Sequence, residues 1–146
     1  IKDSEGFKSY VYLCQAGHPT IGYGHRIVKG EGITPPITIP QAEELLRKDI
    51  EAVERGVLPL ISLAALMNEN HLSAITCFVF NVGLGNFKKS TMLKKLNNLD
   101  FDGAAKEFKR WNKYTSPETG TLKRSQGLTV RRRKEKALFL CKPDER

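Results

Sequence analysis

The chain has 146 residues, 40% of them hydrophobic and 27% charged, and its 24 Lys+Arg against 16 Asp+Glu give a net charge of +8. That length fits one domain able to bury about two-thirds of its unfolded surface, and no apolar run approaches the roughly 20 residues of a membrane span. The basic balance points to polyanionic partners, whether nucleic acid, an acidic membrane face or an anionic cell-wall polymer, although the clusters at Lys88–Lys89, Lys94–Lys95, Lys106–Arg110 and Arg131–Lys136 each read first as solvated helix faces.

Residues 1–5 read as the last turn of a helix, stopped by Gly6 in a left-handed conformation. Tyr10 to Leu13 is aromatic and β-branched, Gln15 to His18 is turn material, and Thr20 to Tyr23 resumes the β pattern, which is a hairpin signature. Gly30, Gly32, Pro35 and Pro36 mark a loop. Thr38 and Gln41 then form a capping box with Pro40 in the first turn. Leu45, Leu46, Ile50, Val53 and Val57 keep helical spacing up to a stop at Gly56 and Pro59. The apolar segment Val57 to Met67, broken by Pro59 and Ser62, reads as core.

His71 to Val82 is apolar almost all round and marks a central buried helix, broken by Gly83-Leu84-Gly85-Asn86. Further helices are predicted at Phe87 to Leu96, Phe101 to Trp111 and Leu128 to Leu140. Asn112 to Gly127, with Pro117 and Gly120, is predicted as a loop. The class is α+β, with the β part confined to one lobe.

Cysteines at 14, 77 and 141 make no disulfide framework, and no Cys/His spacing suggests zinc. His18, His25 and His71 are too scattered for a metal centre, so neither metal nor cofactor is expected. Cys77 in AITCFVF and Cys141 at the end of ALFLC read as small buried hydrophobes. Pairing between them has no support beyond their number. Cys14 differs, because its neighbourhood is polar and rich in turn residues.

The run EGFKSYVYLCQAGHPTIGYGH, from Glu5 to His25, concentrates the chemistry. It sets a carboxyl, a thiol and a hydroxyl in the order Glu5, Cys14, Thr20, among Gly17, Gly22, Tyr23 and Gly24 of a tight ribbon. A candidate acid thus faces a candidate nucleophile or base across a hairpin. A blander reading stands beside each residue. A Glu at a helix end is most often a surface group, mildly unfavourable with the helix dipole. Thr is a welcome strand former, and His25 braces a ribbon more readily than it titrates. Phe87 either offers an aromatic face to a ligand or fills the core. Arg131 and Arg132 either contact an anionic ligand or brace the fold, with bracing ahead.

The order Glu-x8-Cys-x5-Thr followed by IGYGH resembles the active-site ribbon of the phage-type, T4-like lysozymes or endolysins. The likeness continues through QAEELLRKDIEAVERGVL, FNVGLGNFKKSTMLKKLN and GLTVRRRKE, and so covers nearly the whole chain. The stretch between Thr20 and the Thr38 cap is shorter than in the T4 member, and the start of the first helix is missing. The resemblance implies a mainly helical, two-lobed lysozyme-like α+β fold with a small β-hairpin N-terminal lobe. It implies a single lysozyme domain over 1–146, with a β-containing lobe at 1–39, a connecting helix at 40–57 and a helical lobe at 58–146. The activity implied is hydrolysis of the β-1,4 bond between N-acetylmuramic acid and N-acetylglucosamine in bacterial peptidoglycan, for host lysis. Glu5, Cys14 and Thr20 would be catalytic, and His25, Phe87, Arg131 and Arg132 would bind substrate.

Cleaving a glycoside needs a proton donor to the leaving oxygen and stabilisation of an oxocarbenium-like centre. A free Glu, with a pKa of about 4.3, is ionised at neutral pH. Glu5 therefore needs apolar surroundings to keep its proton, and Phe7 and Tyr10 are placed to supply them. The family more often has Asp where this chain has Cys14, although some members use Cys. A thiol, with a pKa of about 8.5, carries charge only where its environment favours the thiolate. Three readings stay open: a thiolate base or nucleophile, a polar placeholder beside Glu5, or a redox-gated residue. Thr20 would hold the attacking water or orient Cys14.

A lytic transglycosylase acting on the same bond is the rival among enzymes, and a non-catalytic basic wall- or membrane-binding module is the rival outside them. Nucleic acid is not an expected partner, because RRRKEK at 131–136 lacks interleaved aromatics. The expected partner is the peptidoglycan glycan strand, bound by a monomer, with transient contact to anionic membrane through the basic last helix. Such a protein is made in the host cytoplasm and acts in the periplasm. A chain starting at Ile1 fits either a holin route or a removed anchor.

Overall fold

A computed structural model of the chain describes residues 1–14, 17–62 and 66–143. Gln15 and Ala16 of the expected turn, and 63–65 of the expected core segment, lie outside the described residues. The fold is α+β, and the chain forms two compact units, Ile1–Glu51 with Tyr114–Lys123, and Ala52–Lys113 with Arg124–Arg146.

In the first unit, the short helix α1 (Lys2–Glu5) ends at Gly6, whose N–H returns to the Lys2 carbonyl. Gly6 has φ +69° but ψ 161°, so the stop is extended rather than left-handed helical. Strands β1 (Lys8–Leu13), β2 (Pro19–Gly22) and β3 (His25–Arg26) then form an antiparallel sheet in that order. Thr20 lies on the central strand, opposite Tyr12 on one side and Arg26 on the other. Lys8 pairs with Gly22 and Tyr12 with Thr20, so four steps along β1 match two along β2. This bulge leaves both Tyr10 and Val11 exposed, where strict alternation would have covered one of them.

The sheet's inner face packs on Ile37 and Ala42 through Ile21, with Phe7, Tyr23, Ile27, Ile33 and Leu45 around them. Helix α2 (Ile39–Val57) starts with the expected capping box. Thr38 N–H donates to Gln41 Oε1 at 2.8 Å, and Gln41 N–H to Thr38 Oγ1 at 3.2 Å. Gly56 does not stop this helix. It lies inside it, where an added Cβ would come within 2.6 Å of Leu84 Cδ2, so glycine serves close approach here. A 3-10 turn at Leu58–Leu60 carrying Pro59 follows.

The second unit is built on α3 (Glu69–Val82), which buries Ala74, Ile75, Phe78 and Val79. Asn68 and His71 cap its start reciprocally, a box with His where Glu or Gln is usual. Gly83 alone breaks the chain, at φ +92°, and α4 (Leu84–Lys88) begins at the next residue, with Gly85 and Asn86 inside it. The helix expected over 87–96 is interrupted because Ser90 caps a new one, α5 (Thr91–Asn97). Helix α6 (Phe101–Glu107) runs into a 3-10 turn at Phe108–Arg110.

The segment 112–127 is not simply a loop. It contains two paired strands, β4 (Lys113–Thr115) and β5 (Leu122–Arg124), closed by Ser116 N–H to the Thr121 carbonyl at 2.9 Å. Helix α7 (Gln126–Leu140) follows from a Ser125 cap. Phe78, Phe87, Phe108 and Phe139 occupy the buried core of the second unit with Met92 and Leu96. All three cysteines are free thiols, and Cys77 and Cys141 are half-buried rather than enclosed. No helix among the described residues is long and apolar enough to cross a membrane.

Ser90 is buried and works twice, donating to the Phe87 carbonyl at 2.7 Å and accepting from Leu93 N–H at 3.1 Å. Ser90→Ala removes the α5 cap and one of the bonds to the Phe87 carbonyl, which keeps the backbone N–H of residue 90 at 3.0 Å. We expect a loss of about 1–2 kcal/mol, read from chemical denaturation with an unchanged m-value.

Candidate active site

Glu5, Cys14 and Thr20 all fall within the first unit. Cys14 lies one residue past β1, and its N–H donates to the His18 carbonyl at 2.9 Å, which carries the strand pairing into the turn. Thr20 is 3% exposed. Its hydroxyl donates to the same His18 carbonyl at 2.8 Å, and His18 N–H donates to Cys14 Sγ at 3.3 Å. The backbone of one residue, His18, therefore orients both side chains. Its carbonyl takes the only proton of the Thr20 hydroxyl, so Thr20 offers lone pairs. Its N–H points at the sulfur, so Cys14 is held as an acceptor.

Glu5 ends α1, half-buried, and its carboxyl lies over Gly24. A Cβ added at Gly24 would sit 2.6 Å from Glu5 Cδ and Oε2. Gly24 also has φ +79°, so this floor needs glycine for both space and conformation. Tyr10 lies at the surface. It is 62% exposed on the bulged part of β1, while Phe7 leans on Tyr23 with ring centroids 5.8 Å apart. The aromatic residue tied to the site is Tyr12, opposite Thr20 and two residues before Cys14. Burial pushes the Tyr12 phenol up, and the charges of Glu5 and Cys14 push it further. The sequence signal for Tyr12 was its two-residue spacing from Cys14, which the bulge separated from that of Tyr10.

His25 is a strut. Its Nδ1 meets Asp49 Oδ2 at 2.8 Å and its Nε2 meets Glu31 Oε2 at 2.6 Å, so both ring nitrogens are engaged within the unit. The hydrogen bond to Asp49 holds the imidazolium above its ordinary pKa. Burial works against it, and the charges of Asp49 and Glu31 add to the rise. Glu31 also accepts from Val28 N–H at 3.0 Å, joining β3, the following loop and α2. His25 thus braces the unit.

Phe87 is wholly buried in the second unit, edge-on to Phe78 at 6.5 Å, so it serves the core and presents no face to a sugar. Arg132 is 1% exposed. Its Nε lies 2.6 Å from Glu135 Oε1, its terminal nitrogens reach Glu135 Oε2 at 2.9 Å and the Trp111 carbonyl at 3.4 Å, and its plane covers Phe78 at 5.0 Å. Burial pushes the Glu135 carboxyl up and the Arg132 charge pulls it back. Arg132 is thus a buried brace. Arg131 is half-buried, 3.9 Å from the same carboxylate. Among the described residues no cluster of His, Cys, Asp or Glu is arranged to hold a metal ion.

A carboxyl seated on a glycine floor, with a thiol and a hydroxyl held as acceptors in the same unit, suits acid-assisted attack of water on a glycoside. The family model for phage lysozyme matches residues 2–135, and the chain belongs to that family. It is 41% identical over 139 residues to the endolysin of Acyrthosiphon pisum secondary endosymbiont phage 1, covering 95% of this chain and 91% of that one. Among solved structures it resembles the endolysin from Escherichia coli O157:H7 phage FAHEc1, with TM-score 0.83, 33% identity and coverage of 95% and 87%. It also resembles the muramidase domain of SpmX from Asticcacaulis excentricus, with TM-score 0.81, 28% identity and coverage of 97% and 92%.

Two outcomes are expected. Gly24→Ala forces the Glu5 carboxyl aside at a backbone cost of about 1–2 kcal/mol, and a displacement near 1 Å lowers turnover by about 100-fold. Wall-clearing rates compared with melting temperature check this. The His25 clamp raises its folded pKa above the unfolded value of about 6.5, so its stabilisation is complete below that pH and disappears as pH rises through the folded value. The stability difference between the parent and His25→Gln should therefore narrow as pH rises above about 6.5. A difference that stays flat with pH would remove charge from the account of the clamp.

Proposed function

We propose that this phage lysozyme hydrolyses the β-1,4 bond between N-acetylmuramic acid and N-acetylglucosamine in peptidoglycan through Glu5, Cys14 and Thr20. Glu5 gives its proton to the leaving glycosidic oxygen as the bond to the anomeric carbon breaks. A water bonds to that carbon through its oxygen while its hydrogens point to Thr20 Oγ1 and Cys14 Sγ. The proton it loses passes to Cys14 in its thiolate form. The observation that supports this reading most directly is the backbone of His18, which makes acceptors of both Thr20 and Cys14. Two acceptors side by side require the hydrogens of the water, which leaves its lone pair for the sugar.

The reading places the protein on glycan strands as a monomer, made in the host cytoplasm and acting on the wall in the periplasm. The exposed Arg133 and Lys134 of α7 supply charge for transient contact with an anionic surface.

Glu5→Gln should abolish release of muropeptides from purified walls with little change in melting temperature. Cys14→Asp should largely keep turnover, and Cys14→Ser should lose most of it. Mass spectrometry of the products should show one added water per cleavage. Anhydro-sugar ends would instead establish a lytic transglycosylase, and full activity in Glu5→Gln would refute the assignment.

A further inference from the structure

Arg26 is a cation beside the site that neither the Glu-Cys-Thr spacing nor the bracing network uses. Strand β3 pairs with β2 in the register Thr20 to Arg26 and Ile21 to His25. Directly paired residues of an antiparallel ladder project to the same face. The neighbours of Arg26 confirm which face that is. His25 reaches Asp49 of α2, and Ile27 packs on Ile21, Ile37 and Ala42, so both turn inward. Ile27 N–H donates to the Pro19 carbonyl at 3.0 Å, so the pairing continues past Arg26. Lying between two inward residues, Arg26 turns the other way. Tyr12, Thr20 and Arg26 thus form one row across the sheet, with Thr20 in the middle.

Arg26 is exposed, and among the described residues its guanidinium has neither an ion pair nor a side-chain hydrogen bond. Glu31 and Asp49, the carboxylates that hold β3, are both taken by His25 on the opposite face. A cation is therefore presented on the Thr20 face with nothing of the protein to neutralise it.

We propose that Arg26 is a specificity residue that binds a carboxylate on the lactyl-peptide arm of N-acetylmuramic acid. The proposal rests on the roles given above to Glu5 and Thr20. In that reading the anomeric carbon attacked by the water at Thr20 belongs to N-acetylmuramic acid. The lactyl ether leaves the same ring at C3, two bonds from the carbon under attack, and the peptide hangs from it. This arm carries the negative charge of a glycan strand whose sugars are otherwise neutral. Paired residues start about 5 Å apart at Cα, so a group close to the attacked carbon is within the span of an arginine side chain. Of the two residues flanking Thr20, Tyr12 is a phenol and Arg26 a cation, so the β3 side suits the acidic arm. The planar guanidinium can take a carboxylate through two parallel hydrogen bonds. A polymer of N-acetylglucosamine alone has no such arm and gains nothing from Arg26.

The proposal is tested by kinetics on soluble, uncross-linked peptidoglycan strands, either native or with their carboxylates converted to amides. On native strands Arg26→Gln should raise KM about tenfold, with a smaller change in kcat. Arg26→Lys should fall between the two, since it keeps the charge and loses the fork. The parent's KM should also rise more steeply with salt than that of Arg26→Gln. On amidated strands parent and Arg26→Gln should share one KM. Melting temperature should stay near the parent value, because the side chain is exposed and unpaired. Strands stripped of peptide by an amidase keep only the lactyl carboxylate. A KM effect that persists on them assigns that carboxylate as the ligand, and one that vanishes assigns those of the peptide.

Equal KM values on native strands would overturn the proposal. So would a loss of the same size on native and amidated strands, which describes a charge that merely guards the sheet edge. Either result leaves the assignment of Glu5 untouched, which falls only if Glu5→Gln keeps its activity.

Discussion

Register on the central strand is the constraint from which the site follows. Thr20 can face the site only because Ile21, its neighbour, faces the other way and is enclosed with Ile37 and Ala42. Full burial of such a side chain is worth about 1.5–3 kcal/mol. A slip of one residue would exchange the two faces, losing that burial and turning the hydroxyl into the core. The apolar anchor thus sets the polar partner. With Thr20 fixed, Tyr12 is fixed across the ladder and Cys14 beyond it, and the backbone of His18 falls where its carbonyl and N–H meet the Thr20 and Cys14 side chains.

The acid reaches this ribbon by a different device. Glu5 sits at the end of a four-residue helix, which has little stability of its own. Its position depends on the Gly24 floor and on tethers such as Lys2 to Glu43 at 3.1 Å. Gly24 in turn adjoins His25, which Asp49 and Glu31 grip from two sides. Charges that look like candidates for chemistry are in fact holding backbone. The same holds in the second unit, where Arg132 and Glu135 are enclosed together and gain their value from mutual pairing, since either charge alone would be costly to bury.

Much of this was legible from residue order, and the failures have physical causes. The α2 capping box, the buried α3 helix and the two-strand ribbon rest on short-range chemistry, and each formed as expected. The Glu5, Cys14 and Thr20 spacing was readable because a hairpin brings its own two strands together. Tyr12 was hidden behind Tyr10, because a bulge changes which of two similarly spaced aromatics turns inward. Phe87 and Arg132 could be read either way because burial is a property of the assembled core. An aromatic after glycines and an arginine in a basic run look the same in sequence whether they meet ligand or interior. The α4–α5 break turned on one serine cap inside an otherwise continuous helical pattern.

Cysteine at position 14 becomes intelligible once the turn is seen to be held by backbone. Cys14 N–H to the His18 carbonyl and Gly17 N–H to the Cys14 carbonyl close it, and neither bond uses the side chain. The fold therefore asks nothing of residue 14 except that it leave the His18 N–H an acceptor. A carboxylate meets that demand with permanent charge, and a thiol meets it with charge that depends on its surroundings. Choice between the two is thus free of folding constraint and falls on the chemistry alone. A ribbon built this way permits exchange of the side chain at position 14 while Glu5, Thr20 and their supports stay in place.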